Sequence, residues 1–146
     1  MIALIQRVSE ARVSVDGQVV AEIARGVLAL IGVRRGDNDA AVDRLLERLL
    51  SYRIFPDGEG RMNLSVRDVA GGLLLVPQFT LAADTRKGTR AGFSTAAEPQ
   101  EARRLFTALL ERAQSAYAPV STGVFGAHMK VALVNDGPVT FWLETA

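Results

Sequence analysis

Few side chains in this sequence are equipped for chemistry, and most of them gather in two stretches. The first is Val76-Pro-Gln-Phe-Thr-Leu81, where an apolar run meets Gln78 and Thr80. A threonine hydroxyl attacks only when a neighbouring base takes its proton, and the sequence places no base beside Thr80. Gln78 and the main-chain N–H groups around Phe79 and Thr80 suit another task, stabilising negative charge on an oxygen. An ordinary threonine at the rim of a sheet fits the same pattern. The second stretch is Asn135-Asp-Gly-Pro-Val-Thr140, set between the alternating segments Met129 to Val134 and Val139 to Leu143. Asp-Gly between two such segments signals a β-hairpin. Gly137-Pro138 admits a sharper reading. Proline has no N–H to donate to a ladder, and an X–Pro bond adopts the cis form at a cost of only about 0.5–1 kcal/mol. Glycine lacks a Cβ, so another molecule can approach its backbone closely. Such a tip aims two carbonyl oxygens at a ligand. Both readings stand on the residues alone.

Other chemistries are excluded or weakly supported. The chain has no cysteine and one histidine, His128. That removes disulfides, thiolate nucleophiles, Cys-based zinc and multi-His metal sites. No nucleophile elbow accompanies His128, and no Walker or Rossmann glycine loop opens a helix. No cofactor or metal is expected. Asp84-Thr-Arg-Lys-Gly-Thr-Arg-Ala-Gly-Phe93 reads as a long loop in which Arg86, Lys87 and Arg90 stand near Phe93. Cations beside an aromatic suit contact with phosphates or a base, and a solvated surface loop is the alternative. The formal net charge is only +1, so any contact with RNA should be local. Arg7, at the far end of an apolar strand, either snorkels to water or donates a fork of hydrogen bonds to exposed carbonyls.

The elements that must position these residues follow from periodicity. Ile2 to Val33 reads as strands, with a hairpin at Asp16-Gly17 and a buried strand from Val27 to Val33. Val42, Leu45, Leu46, Leu49 and Leu50 mark the apolar stripe of one helix. Ala102, Leu105, Phe106, Leu109, Leu110, Ala113 and Tyr117 mark a second, opened by Pro99 and stopped by Pro119. Tyr52 to Phe55 suggests a short strand, Met62 to Val66 an irregular edge, and Leu73 to Val76 a second buried strand. Pro77 cannot continue a central ladder, so Gln78 to Leu81 should lie at its end. The expectation is an α+β fold over residues 1–146: one domain with a curled, barrel-like, mixed or antiparallel sheet and two packed amphipathic helices. The apolar runs are too short to span a bilayer, and Met1 to Arg7 lacks the basic flank and cleavage site of a signal peptide. A cytoplasmic location is expected.

Val76-Pro-Gln-Phe-Thr-Leu81 together with Asn135-Asp-Gly-Pro-Val-Thr140 resembles the motif pair of the D-aminoacyl-tRNA deacylases. The likeness extends through Met1 to Val8, Tyr52-Arg-Ile-Phe55, Met62-Asn-Leu64, Ala82-Ala-Asp-Thr85 and Phe141-Trp-Leu143. It implies a homodimer, with active sites at the subunit interface, that hydrolyses the ester between a D-amino acid and the tRNA 3′-terminal adenosine. It further implies that Gly137-Pro138 is cis and reaches the partner's Gln78, Phe79 and Thr80. There its carbonyls hold the substrate amino group and exclude L side chains. Arg7 matches a residue that braces those carbonyls, with Asn135, Val139, Thr140 and Met129 in support. The resemblance favours help from the substrate's own 2′-OH over a threonine nucleophile, although Thr80 has been considered for that role.

Three departures from the family pattern stand out. Pro77 replaces a usual serine, Ala91-Gly92 a usual Pro-Ser, and His128 a common aspartate. Rival readings are a non-catalytic homodimer binding RNA ends or a small molecule, and a hydrolase of other esters using Thr80.

Overall fold

The long strand β1 (Ile2–Val15) feeds two different cores, one from each of its halves, with register shifts against its neighbour between Gln6 and Glu10 where it passes from one to the other. Met1, Ala3 and Ile5 point to one, with Val27, Ala29, Leu73 and Leu75. Val8, Ala11 and Val13 point to the other, with Leu28, Leu74 and Val76. The computed structural model describes residues 1–145. β1 turns at Asp16 and Gly17, both at positive φ, into β2 (Gln18–Ile23), followed by β3 (Gly26–Gly32). β2 and β3 share one edge of β1, and β8 (Lys130–Glu144) runs antiparallel along the other. β6 (Gly72–Pro77) is parallel to β3, and β7 (Val120–Thr122) is parallel to β6. The sheet is therefore mixed, and it curls until β2 comes against β6 and β7. Tight closure requires glycine: a Cβ on Gly72 of β6 would lie 2.9 Å from Cγ2 of Ile23 in β2.

The helices α1 (Asp39–Ser51) and α2 (Pro99–Ala116) cover the first core. Asn38 caps α1, its side chain accepting from the Ala41 N–H, which satisfies one of the helix's orphan donors. Leu45, Leu49, Leu105 and Leu109 are at most 2% exposed, each contributing roughly 1.5–3 kcal/mol by burial. Salt bridges from Arg104 and Arg112 to Asp39, and from Arg112 to Asp43, join the outer faces of the two helices. Among the described residues, no helix is long and apolar enough to cross a membrane.

The α+β class, the curled mixed sheet and the two helices agree with the expectation from sequence; several details do not. The strand expected over Tyr52 to Phe55 shrinks to β4 (Phe55–Pro56), which pairs with β5 (Met62–Leu64) in a separate ribbon. β7 was not foreseen. The hairpin reading of Asn135 to Thr140 is also overturned, because both flanks belong to one strand and pair with β1 in the same direction. Thr140 pairs with Gln6 and Asn135 with Val8. Residues 136–139 thus bulge out opposite Arg7 alone.

Candidate functional site

The rim begins where β6 runs out of donors. Pro77 is level with Ile31 of β3, and its missing N–H falls on the side of the strand that faces β7, where Leu73 donates to the Pro119 carbonyl, so that side loses a donor. The Gln78 N–H makes the last bond, to the Ile31 carbonyl at 2.7 Å. The chain then folds into a 3-10 turn, Phe79–Ala82. Its first internal bond runs from the Leu81 N–H to the Gln78 carbonyl, so the N–H groups of Phe79 and Thr80 precede the turn's own ladder. Gln78 Nε2 donates to Thr80 Oγ1 at 2.5 Å. An amide cannot take the hydroxyl proton, so this contact orients Thr80 without activating it.

Phe79 is 60% exposed and packs at 5.2 Å on Phe93, which joins the rim to the basic loop. Beside the rim lies a largely apolar cavity of about 410 Å³, bounded by Gln78, Phe79, Pro99, Phe125, Met129 and Val131. Met129 stands in this cavity wall and not at the tip.

The tip is the bulge of β8. Arg7 Nε donates to the Asp136 carbonyl at 2.8 Å, and its Nη1 donates to the Ile54 carbonyl at 2.7 Å. The fork therefore grips the carbonyl immediately before Gly137, with Ile54 as its second anchor. Asn135 closes the base of the bulge: its Oδ1 accepts from the Val139 N–H at 2.7 Å, and its Nδ2 donates to Thr140 Oγ1 at 2.9 Å. Gly137 sits at φ +147°, and a Cβ there would lie 2.6 Å from Val139 Cγ2. The Gly137-Pro138 bond is cis, as is Ala118-Pro119. Asp136, Gly137 and Pro138 are exposed.

In the basic loop, Arg86 donates to Asp84 through Nε and Nη2 at 2.9 and 2.8 Å. These bonds, with that from the Arg86 N–H, hold the Asp84 carboxyl down at about 2. Lys87 and Arg90 pair with no acid among the described residues and border a shallow depression with Ser94. His128 is exposed. Gln78, Phe79, Thr80, Phe93 and Met129 thus gather on one edge of the sheet, while Arg7, Asn135, Gly137, Pro138, Val139 and Thr140 gather on another. The sequence reading missed Phe125; an aromatic at the centre of Gly123-Val-Phe-Gly-Ala127 was the available signal.

The model of the family described as D-Tyr-tRNA(Tyr) deacylase matches residues 4–144. A D-aminoacyl-tRNA deacylase of Thioalkalivibrio sulfidiphilus is 67% identical over 144 residues, covering 99% of this chain and 97% of that one. A solved structure of a c-Myc DNA unwinding element binding protein superposes with TM-score 0.96 at 35% identity, covering 100% and 99% of the two chains. Another, described as a probable eukaryotic D-amino acid tRNA deacylase, has TM-score 0.83 at 16% identity over 99% and 98%; it bears on the fold alone.

Proposed function

The chain belongs to the D-Tyr-tRNA(Tyr) deacylase family, and we propose that it hydrolyses the ester joining a D-amino acid to the 3′-terminal adenosine of tRNA in the cytoplasm. The observation that carries this reading is the division of the site. The bulge lies opposite Arg7, level with Val27 of β3, whereas the rim follows Pro77, level with Ile31. Four residues along and three strands across, at about 3.3 and 4.8 Å each, separate them by on the order of 20 Å along the sheet. No single ester spans that gap. A homodimer that lays each subunit's tip over its neighbour's rim joins the two halves.

In that arrangement the Gly137 and Pro138 carbonyls of the partner subunit hold the substrate's α-amino group and wall off the space an L side chain would need. Rejecting L-substrates ten-thousandfold requires about 5.5 kcal/mol, more than the roughly 1–3 kcal/mol per methylene of an apolar pocket. A backbone wall held by Arg7 and Asn135 supplies the difference by exclusion. Glycine has no side chain to exclude, so glycyl-tRNA should also be hydrolysed.

Water attacks the ester carbon, and the Phe79 and Thr80 N–H groups, with Gln78, face the developing oxyanion. The C–O bond then breaks, and the ribose 3′-oxygen leaves with a proton. With no side-chain base at Thr80, the vicinal 2′-OH of the substrate is the group that activates the water. Thr80 positions.

The deciding assay follows deacylation of D- and L-tyrosyl-tRNA. A D-preference well above the spontaneous rate is expected; none would favour a non-catalytic dimer that binds RNA ends. Thr80→Ala and a 2′-deoxy substrate then separate the mechanisms. Total loss with the first and no effect of the second would return the nucleophile's role to Thr80.

A further inference from the structure

One cation stands beside the wall of the rim cavity with no carboxylate paired to it among the described residues. Arg103, exposed on α2, holds its guanidinium 4.7 Å over the ring of Phe125. Its Nη2 lies 3.5 Å from where a Cβ of Gly126 would be. Phe125, Gly126 and Pro99 all line the cavity that Gln78 and Phe79 also border. Pro99 is one turn before Arg103 on the same helix. The positions three and four away, Pro99, Gln100, Phe106 and Thr107, include no acid that could pair along the helix. The nearby carboxylates are engaged elsewhere: Glu101 with Arg104 and Glu98 with Arg35. Arg104 and Arg112, the other arginines on this helix, are spent on salt bridges. Arg103 therefore differs from its helical neighbours in having its charge uncommitted.

We propose that Arg103 is a positioning residue for RNA, taking a backbone phosphate of the single-stranded end whose terminal ester lies at the Gln78–Thr80 rim. This rests on the reading that the substrate is an aminoacyl-tRNA. Stacking leaves the donors of a guanidinium free, because they lie in its plane, and that planar fork matches a phosphate. Phe125 in turn packs at 6.3 Å against Phe106, which is buried in the core. The cation is thus seated on a side chain anchored in the fold instead of waving on a free stem. Arg86, Lys87 and Arg90 sit on a loop beyond Phe93, whereas Arg103 stands against Phe125 and Gly126 of the cavity wall. It is the basic group placed to take the phosphate nearest the ester.

The test measures steady-state hydrolysis of D-tyrosyl-tRNA across a salt series for the wild type, Arg103→Ala, Arg103→Lys and Arg103→Glu. Arg103→Ala should raise KM several-fold with kcat within about twofold, and flatten the dependence of log KM on log salt by about 0.7, the value of one phosphate contact on a single strand. Arg103→Lys should keep the slope, and Arg103→Glu should raise KM further. A rise in KM with an unchanged slope and no rescue by lysine would mean that Arg103 only props Phe125, and would overturn the proposal; so would no change at all.

A second arm measures fluorescence anisotropy with a short RNA ending in CCA that carries D-tyrosine through an amide in place of the ester. If the wild type fails to hydrolyse D-tyrosyl-tRNA but binds this probe with an Arg103-dependent salt slope, the enzymatic reading fails and the phosphate contact stands. If the probe does not bind, or binds with the same slope to Arg103→Ala, the contact is overturned whatever the activity.

Discussion

The tip at 136–139 and the loop at 85–91 are both exposed, glycine-bearing excursions from the sheet, yet they are held in opposite ways. The tip is gripped from outside itself. Arg7 of β1 ties Asp136 to Ile54, and Asn135 stitches the two sides of the bulge together. The loop is tied at its neck by the paired main-chain bonds of Asp84 and Gly92, and by the Asp84 carboxylate on Arg86. From Lys87 to Ala91 every residue is exposed. The difference suits the roles proposed for the two regions. A tip that distinguishes one hand of a substrate works with displacements of an ångström or less and needs to be over-determined by directional bonds. A loop that attracts a pliable RNA end works through charge, which acts over several ångströms and tolerates a looser frame.

The sharpest way to break this contrast is Gly137→Ala. The new Cβ would meet Val139 Cγ2 at 2.6 Å and the Val139 nitrogen at 2.9 Å, at a φ of +147° that L side chains rarely adopt. The bulge must reshape, and kcat/KM for D-tyrosyl-tRNA should fall by about a hundredfold or more (~2.7 kcal/mol). The melting temperature should barely move, because the residue is exposed and outside both cores. An unimpaired Gly137→Ala enzyme would show that the tip's shape is irrelevant to the reaction.

Arg7→Met comes next. It keeps the length of an apolar stem but removes both bonds to the Asp136 and Ile54 carbonyls. The side chain is 12% exposed, and losing charged hydrogen bonds of this kind costs roughly 1.5–3 kcal/mol. The ratio of D- to L-tyrosyl-tRNA hydrolysis should drop about 10- to 100-fold, with kcat for the D-substrate less affected. A fall in both rates with the ratio intact would mean that Arg7 serves stability and not selection.

The loop should respond differently. Removing Lys87 and Arg90 together should raise KM a few-fold and flatten its salt dependence by up to about 1.4, two single-strand phosphate contacts, while the D/L ratio stays unchanged. A change in that ratio would erase the division of labour between the two regions.

How much of this was legible beforehand depends on how far each signal reaches along the chain. The stripe of Val42, Leu45, Leu46, Leu49 and Leu50 is contained within one helix, and so is the Asn38 cap; both could be read directly. Asp16-Gly17 joins strands that pair locally, so its turn chemistry was sufficient. Asp136-Gly137 carries the same local chemistry with another outcome, because its flanks answer to Gln6 and Val8, more than 120 residues away. Only register separates a bulge from a hairpin. Val120-Ser-Thr122 was missed since three residues between Pro119 and Gly123 carry too little pattern; it is the parallel edge of β6 that makes them a strand. At the site, Gln78, Thr80 and Gly137-Pro138 were readable from type and spacing. Ile54 as Arg7's second acceptor and Phe125 as the cavity wall were not, being set by tertiary contacts alone.

The smallest expected effect tests the neck of the loop. Asp84 is held at about 2, below its ordinary 3.8, chiefly by the Arg86 side chain. A carboxylate with a depressed folded-state value favours the native arrangement fully above its unfolded value, near pH 4, and loses that contribution as pH falls through its folded value. The Arg86 contact should therefore persist at neutral pH and dissolve with a midpoint near pH 2, visible as a shift of the Arg86 Nε and amide resonances, while its contribution to stability fades between about pH 4 and pH 2. The main-chain bonds between Asp84 and Gly92 need no ionised group, so the Gly92 amide should move far less. Asp84→Asn should abolish the acid transition. At neutral pH it should also release one cation, tightening RNA binding slightly and steepening the salt slope by up to about 0.7, with the D/L ratio again untouched. If Asp84→Asn instead altered that ratio, the neck would be part of the selective machinery, and rigid selection could not be assigned to the tip alone.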